Sequence, residues 1–466
     1  MSPAGKRPAR PTGRAGSPAG RTTRRGTGAG SPRQEARRGS GSPRGGGRRA
    51  QATPGRRPPS ARAVALDVLG RIDDEGAYAN LALSGALDRA GLSPADRRFA
   101  TDLVYGTTRL RRACDHLADR FLARPVDPAV RNALRLGVYQ LVFAGVARHA
   151  AVGETVEVAP RPARGLVNAV LRRVADAPVA WPDDATRLSV PDWVLDELTA
   201  SLGRDRALAA LATMNEPATV SARDDGYVQD PASQAVAAAV GAEPGERVLD
   251  LCAAPGGKAT ALAGAGAHVV AADLRRGRAR LVRDNATRVD AAGRVAVVVA
   301  DGTRPPWPDA SFDRVLVDAP CSGLGTLRRR ADLRWRVEAD AVERLADLQR
   351  RLVAAAADLV RPGGVLVYSV CTLTAAESTG IDDWLAIERP DLVPDAPVGE
   401  PWDAWGRGAI VLPQTAGTDG MCMFRYVRAD TMADDAAGTA TRTVTTDDAA
   451  RAATRSAGDD PAGEES

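Results

Sequence analysis

Between Arg247 and Ser369 the chain repeats one unit: a short run of Val, Leu and Ala, a turn, then a stretch with helical spacing. The apolar runs cover 247–251, 268–273, 295–301, 314–318 and 364–369, and helical spacing fills about 258–264, 275–288, 338–360 and 374–387. Strands that are apolar along their whole length are buried on both faces, and the intervening helices supply the cover. The pattern predicts an α/β fold with a parallel sheet, opening near residue 218, whose ligands meet the carboxyl ends of the strands. Four of the five runs carry an acid at that end: Asp250, Asp273, Asp301 and Asp318.

The chain before this unit has a different period. Over 61–176 apolar residues recur at helical spacing, as in Val64, Val68, Leu69 and Ile72, and strand signals are missing. Ser93-Pro94 and Asp127-Pro128 read as helix starts, with a capping side chain followed by proline in the first turn. An all-α domain is expected there. Pro178, Pro182 and Pro191 mark a linker with short helices over 177–217, and the catalytic-type α/β domain then runs over 218–428.

Both ends are biased in composition. Residues 1–60 hold 14 Arg and Lys6 against one acid, Glu35, and 13 of the 60 are Gly. Residues 429–466 hold nine acids and three Arg. Neither end has an apolar period, so a disordered basic arm and a disordered acidic tail are expected. The overall charge of +5 then splits into +14, −3 and −6, and the folded part is nearly neutral. The arm suits either solubility or non-specific attraction to RNA phosphate.

No apolar run reaches the roughly 18 residues of a membrane span, and no secretory h-region opens the chain. Five cysteines without a CxxC pair, and three scattered histidines (His116, His149, His268), argue against a disulfide framework and a metal site. A cytoplasmic protein with no metal and no membrane contact is expected.

Chemistry concentrates in three segments. Leu251-Cys252-Ala253-Ala254-Pro255-Gly256-Gly257-Lys258 follows a strand and opens a helix, where free N–H groups favour an anionic or polar ligand. A phosphate-binding P-loop fails twice, at Cys252 and Ala259, and a dinucleotide GxGxxG is absent. Asp273 at the next strand end suits ribose hydroxyls, and Asp301 suits an adenine edge, a set that favours S-adenosylmethionine. The plain alternative is a strand-to-helix turn without a ligand.

The other two segments are Asp318-Ala319-Pro320-Cys321-Ser322-Gly323 and Ser369-Val370-Cys371-Thr372-Leu373. Cys114, Cys252 and Cys422 read as small buried hydrophobes. Cys321 and Cys371 both lie just past strand ends beside the cofactor loop. A thiolate adding to carbon 6 of a cytosine makes carbon 5 nucleophilic, and Asp318 is the candidate acid near ring N3.

These three segments, in this order, resemble the RNA cytosine-C5 methyltransferases. With 61–176 resembling the NusB RNA-binding fold, the likeness narrows to the bacterial RsmB/Sun type. The resemblance implies a Rossmann-like methyltransferase domain after a NusB-like domain, and transfer of a methyl group to a cytosine of small-subunit (16S) ribosomal RNA. It implies Cys371 as nucleophile and Cys321 as the cysteine that assists release. Cys252, Ala253, Ala254, Pro255, Gly256, Gly257, Lys258, Asp273, Arg278, Asp301 and Asp318 would contact S-adenosylmethionine. Some positions depart from the family pattern, among them Val370 before the nucleophile, Ser378 after Glu377, Ala331 before Asp332 and Ala416 before the Gly417–Gly420 motif.

The stretch 327–336 sets five arginines around Trp335, and contact with RNA phosphates and bases is expected of it. Other readings are methylation of a cytosine in another RNA such as transfer RNA, a non-catalytic NusB-like binder, a DNA cytosine methyltransferase using Cys321, and a nucleotide oxidoreductase. Protein partners are not legible.

Overall fold

Two helix starts in the first third of the chain carry a capping serine, whereas at Asp127-Pro128 the helix begins with no capping bond from the Asp127 side chain. The computed structural model describes residues 59–395 and 399–430. The expected basic arm and acidic tail fall almost wholly outside the described residues. Helices α1 (Ala61–Asp74), α2 (Ala79–Ala90), α3 (Pro94–Arg109), α4 (Arg111–Asp119), α5 (Pro128–Val142), α6 (Arg148–Val158) and α7 (Arg164–Asp176) form the helical part. Ser60 and Ser93 cap α1 and α3, the second by accepting from the Asp96 N–H at 3.1 Å. Leu103, Leu134, Leu136 and Leu171 are fully buried in the core these helices share.

Short helices α8 (Asp184–Leu188), α9 (Asp192–Leu202) and α10 (Arg204–Thr213) follow. Their Val194, Leu198 and Leu211, with Met214, belong to the same apolar core as Leu249, Val315 and Tyr368 of the sheet. The stretch expected as a linker does carry short helices, but it is a packed layer. Its apolar residues sit three or four apart over too few turns for the sequence to show what they pack against.

The sheet has nine strands: β1 (Arg247–Asp250), β2 (His268–Asp273), β3 (Val295–Val299), β4 (Phe312–Asp318), β5 (Val360–Val370), β6 (Leu392–Pro394), β7 (Asp403–Trp405), β8 (Gly408–Val411) and β9 (Met421–Arg428). Its order is β3-β2-β1-β4-β5-β9-β8-β7, with β6 also paired to β9. Helices α11 (Pro231–Ala239), α12 (Gly257–Gly264), α13 (Arg276–Arg288), α14 (Asp340–Leu359) and α15 (Thr379–Glu388) pack around it. β1 to β5 are parallel to their neighbours, but β9 runs antiparallel to β5, and β6 and β8 antiparallel to β9. The expected parallel sheet is therefore mixed. Strands of three or four residues such as β6, β7 and β8 leave no period to read.

The chain leaves β1 towards β2 and β3 on one side and places β4 and β5 on the other. This reversal opens a crevice at the carboxyl ends of β1 and β4. The register pairs Asp250 with Leu316 and Asp318 with Ser369, so the acids gather at one edge.

Candidate active site

The loop after β1 turns sharply into α12. Gly256 takes φ +106°, a conformation that side chains rarely adopt, and a Cβ there would lie 3.1 Å from the Val282 Cα on α13. Ala253 donates to Ala272 O at 2.9 Å, and Asn285 donates to Pro255 O at 2.9 Å, so the loop is held against β2 and α13. Asp273 accepts from Arg275 N at 2.9 Å and from Arg278 Nε at 3.0 Å, and Arg278 also donates to Ala254 O at 2.9 Å. Cys252 to Lys258, Asp273, Arg278 and Asp318 thus form one cluster. Asp301 is apart at the rim: it is exposed, two residues beyond β3, and accepts from its own turn at Thr303 N and Oγ1.

Lys258 Nζ donates to Asp318 Oδ2 at 2.7 Å, and Ser369 Oγ donates to Asp318 Oδ1 at 3.0 Å. Burial alone would lower the Lys258 ammonium, but Asp318 outweighs it and the net effect is upward. Asp250 is the outlier. It is 1% exposed, neither carboxylate oxygen has a hydrogen-bond partner, and burial followed by the Asp318 charge pushes it up to about 7. Burial raises the Cys252 thiol strongly, which suits a neutral packing role.

Cys321 Sγ and Cys371 Sγ lie 3.4 Å apart, both partly exposed. The hydrogen bond from Cys321 lowers Cys371, burial and Asp318 oppose this, and the Arg330 and Lys258 cations assist it. Cys321 moves the other way, through its bond to Cys371, burial, and the charges of Glu377 and Asp318. The Cys371 thiol is the one poised to be a thiolate. Gly325 fits the same corner because a Cβ there would lie 2.1 Å from Gly420 O and 3.0 Å from Cys371 O.

Sequence reading missed what lies behind the thiols. Glu377 is fully buried and accepts from Ser322 N at 2.8 Å, Ser322 Oγ at 2.5 Å, Thr374 Oγ1 at 2.9 Å and Gln349 Nε2 at 3.1 Å. Its place six residues past Cys371 was visible, but its burial was not.

Part of the arginine stretch has a role inside the protein. Arg334 is fully buried among neutral oxygens: Asn215 Oδ1 at 2.8 Å, Ser189 O at 3.2 Å, and the Arg109, Met214, Leu188 and Leu327 carbonyls at 3.4–3.5 Å. Arg328 donates to Gly417 O and Pro217 O, Arg329 pairs with Asp419, and Arg336 bonds Asp332 and Gly76 O. Trp335 Nε1 donates to Thr108 O at 2.7 Å. Arg334, Trp335 and Arg336 bind the catalytic turn to the helical part, while Arg328 and Arg329 tie it to Pro217 and to 417–419, and Arg329 stays partly exposed. Buried carbonyls left at helix ends need donors, and this loop supplies them. Only Arg330 of the five lacks a protein partner among the described residues.

A cavity of about 560 Å³ opens beside the site, between α3 and the 217–230 ribbon. Arg98, Tyr105, Val220, Val228 and Arg329 are among its lining residues, and Val220 and Val228 are largely exposed. Among the described residues no helix is long and apolar enough to cross a membrane, and no cluster of three His, Cys, Asp or Glu is arranged to hold a metal.

Comparison with known proteins adds to this geometry. The profile of the family described as 16S rRNA methyltransferase RsmB/F matches residues 237–425, and that of the NusB family matches 59–176. The chain is 38% identical over 407 residues to the ribosomal RNA small subunit methyltransferase B of Thermus thermophilus, covering 80% of this chain and 98% of that one. It is 31% identical to the protein of the same name from Pseudomonas putida, covering 79% and 97%. Among solved structures, that of PH0851 superposes with a TM-score of 0.65 at 21% identity, over 79% of this chain and 99% of that chain, a likeness of fold.

Proposed function

The chain belongs to the RsmB/F family of small-subunit ribosomal RNA methyltransferases, and from that premise we propose that it methylates carbon 5 of a cytosine in 16S ribosomal RNA through a covalent cysteine adduct. The observation that carries this reading is the pair of thiols 3.4 Å apart beside the Lys258–Asp318 ion pair, in the crevice where the strand order reverses. A cytosine's carbon 5 is a poor nucleophile until a thiolate adds at carbon 6, and an enzyme that only bound RNA would have no use for such a pair.

Cys371 is assigned the addition to carbon 6, forming the S–C6 bond. The sequence suggests Asp318 as the acid at N3, but its carboxylate accepts from Lys258 Nζ and Ser369 Oγ, so the proton that balances the addition is assigned to the Lys258 ammonium and Asp318 is assigned as acceptor at the N4 edge. After carbon 5 is methylated, Cys321 in its thiolate form is assigned to take the carbon 5 proton as the S–C6 bond breaks and Cys371 leaves as thiolate, while the ring nitrogen returns its proton to Lys258. Reaching this corner requires the target base to leave its stack. The cleft lined by Arg98 and Arg329, with Arg330 nearby, suits the flanking RNA strand.

The residues at the crevice also fit S-adenosylmethionine. A buried carboxylate with no partner, Asp250, suits a cationic ligand, while Asp273 at the second strand end suits a ribose diol. Gly256 and Gly257 let the loop pack against Val282 and against Tyr227 and Gln229, which fixes its path into α12. When bound, S-adenosylmethionine supplies an electrophilic sulfonium methyl group.

Labelled S-adenosylmethionine and protein-free 16S ribosomal RNA, or 30S particles, should give 5-methylcytosine at one position by bisulfite sequencing. Label on another atom or base would overturn the reading, and label confined to transfer RNA would move the substrate. Asp250 adds a pH dependence. Because its folded value is raised to about 7, the Asp250 carboxyl is neutral below that pH and anionic above it. Affinity for the cationic cofactor, measured by calorimetry, is expected to weaken by up to about tenfold per pH unit below 7. Asp250→Asn should flatten that slope, and a slope kept by the variant would place the titrating group elsewhere.

A further inference from the structure

We propose that Glu377 is the positioning residue that decides which of the two thiols acts as nucleophile, by tying both cysteine-bearing segments together and setting its negative charge on the Cys321 side. The inference rests on the two-cysteine reading above and goes beyond it, since that reading gives no reason why Cys371 and not Cys321 should attack.

The geometry is specific. Ser322 directly follows Cys321, and Thr372 directly follows Cys371. Glu377 Oε1 accepts from Ser322 N at 2.8 Å, Oε2 accepts from Ser322 Oγ at 2.5 Å and Thr374 Oγ1 at 2.9 Å, and Thr372 Oγ1 lies 2.7 Å from Ser322 Oγ. One carboxylate therefore holds the turn after β4 and the loop after β5 in a single register. Gln349 on α14 closes the ring from behind, donating to Glu377 Oε1 at 3.1 Å and to Pro320 O at 2.8 Å. The Tyr368 hydroxyl lies 2.6 Å from Glu377 O and 3.0 Å from Gln349 Oε1.

Burial pushes the Glu377 carboxyl above its usual range, and the hydrogen bonds from Ser322, Thr374 and Gln349 oppose that and favour the ionised form. Four donors converge on its two oxygens, which an acceptor-only group satisfies without rearrangement. A buried charge so held cannot be screened by water and acts on whatever titrates next to it. Cys321 lies on that side. Cys371 instead meets the cations Lys258 and Arg330, with Asp318 opposing them. Tyr368 and Cys422, the other titratable groups packed here, are both pushed upward and stay neutral, Cys422 at about 12. The two thiols are chemically identical and 3.4 Å apart; the hydrogen bond between them has the largest effect on each, and the surrounding charges bias which sulfur is the acceptor.

The test reads the thiols directly and needs no RNA. Initial rates of iodoacetamide labelling, resolved by peptide mass spectrometry, should favour Cys371 over Cys321 at neutral pH, with the lower pH midpoint at Cys371. Glu377→Gln keeps the shape and removes the charge, and should narrow the rate ratio by about tenfold, one unit of relative thiol acidity. Glu377→Asp, which restores the charge, should recover part of the preference. An unchanged ratio in Glu377→Gln would overturn the proposal. If that variant does not fold, the wild-type profile decides: equal or reversed midpoints would equally overturn it. Methylation of cytosine does not enter this readout. A chain that labels as expected but yields no 5-methylcytosine would retain the inference and lose the function, and the converse holds.

Discussion

Cys371→Ala is expected to lower methyl transfer by at least about 10⁴-fold and to leave no covalent protein–RNA species on a denaturing gel. Cys321→Ala should also fail to turn over, but for the opposite reason. It forms the S–C6 bond normally and cannot complete elimination, so the adduct with labelled RNA accumulates. The contrast follows from the site. The thiols are 3.4 Å apart and both partly exposed, so either can reach a base, but the hydrogen bond from Cys321 and the charges of Arg330 and Lys258 favour the thiolate at Cys371. An adduct that survives Cys371→Ala and disappears in Cys321→Ala would exchange the two roles and make the chain resemble an enzyme that attacks from its Pro-Cys turn. No adduct in either variant, with methylation intact, would remove covalent catalysis altogether.

The second large effect is on stability. Arg334→Met is expected to destabilise the protein by about 2–5 kcal/mol, read as a lower thermal midpoint. The guanidinium is fully buried with no carboxylate partner, and burial, then the neighbouring Arg109 charge, brings it down to about 9, so it stays cationic at neutral pH. Removing it leaves Asn215 Oδ1 and Ser189 O without their donor and opens the junction of Arg109, Met214 and Leu327. Because this junction anchors the segment that follows the Cys321 turn, activity should fall with it. Arg330→Ala, by comparison, should move the midpoint by no more than about 0.5 kcal/mol in stability. An Arg334→Met protein that melts normally and binds RNA with a weaker salt dependence would return the arginine stretch to the RNA surface.

Much of this architecture is legible in the amino-acid sequence. The apolar runs at 247–251 and 314–318 lie where β1 and β4 form, and Ser93 caps the helix that its Ser-Pro sequence announced. The acids Asp250, Asp273 and Asp318 stand at strand ends because strand length is written in the hydrophobic run itself. The antiparallel strands were not legible. β7 and β8 have three and four residues, and β9 is buried along most of its length, so no alternation marks its direction. The internal role of Arg334 and Arg336 was not legible for a related reason. A guanidinium looks the same in a sequence whether it faces phosphate or a carbonyl.

What the sequence by itself determined is therefore local and additive: helix and strand positions, the glycine-rich turn, the two cysteines and the segments that carry them. Periodicity and capping act over a few residues, and so can be read along the chain. Tertiary structure alone decided that Glu377, Ser322 and Gln349 close on one another, that Asp250 is left without a partner, and that Arg334 is a bolt between the helical part and the catalytic turn. Burial, partner and charge environment are sums over residues far apart in sequence. Those sums set the chemistry of a thiol or a carboxylate, and they exist only once the chain has folded.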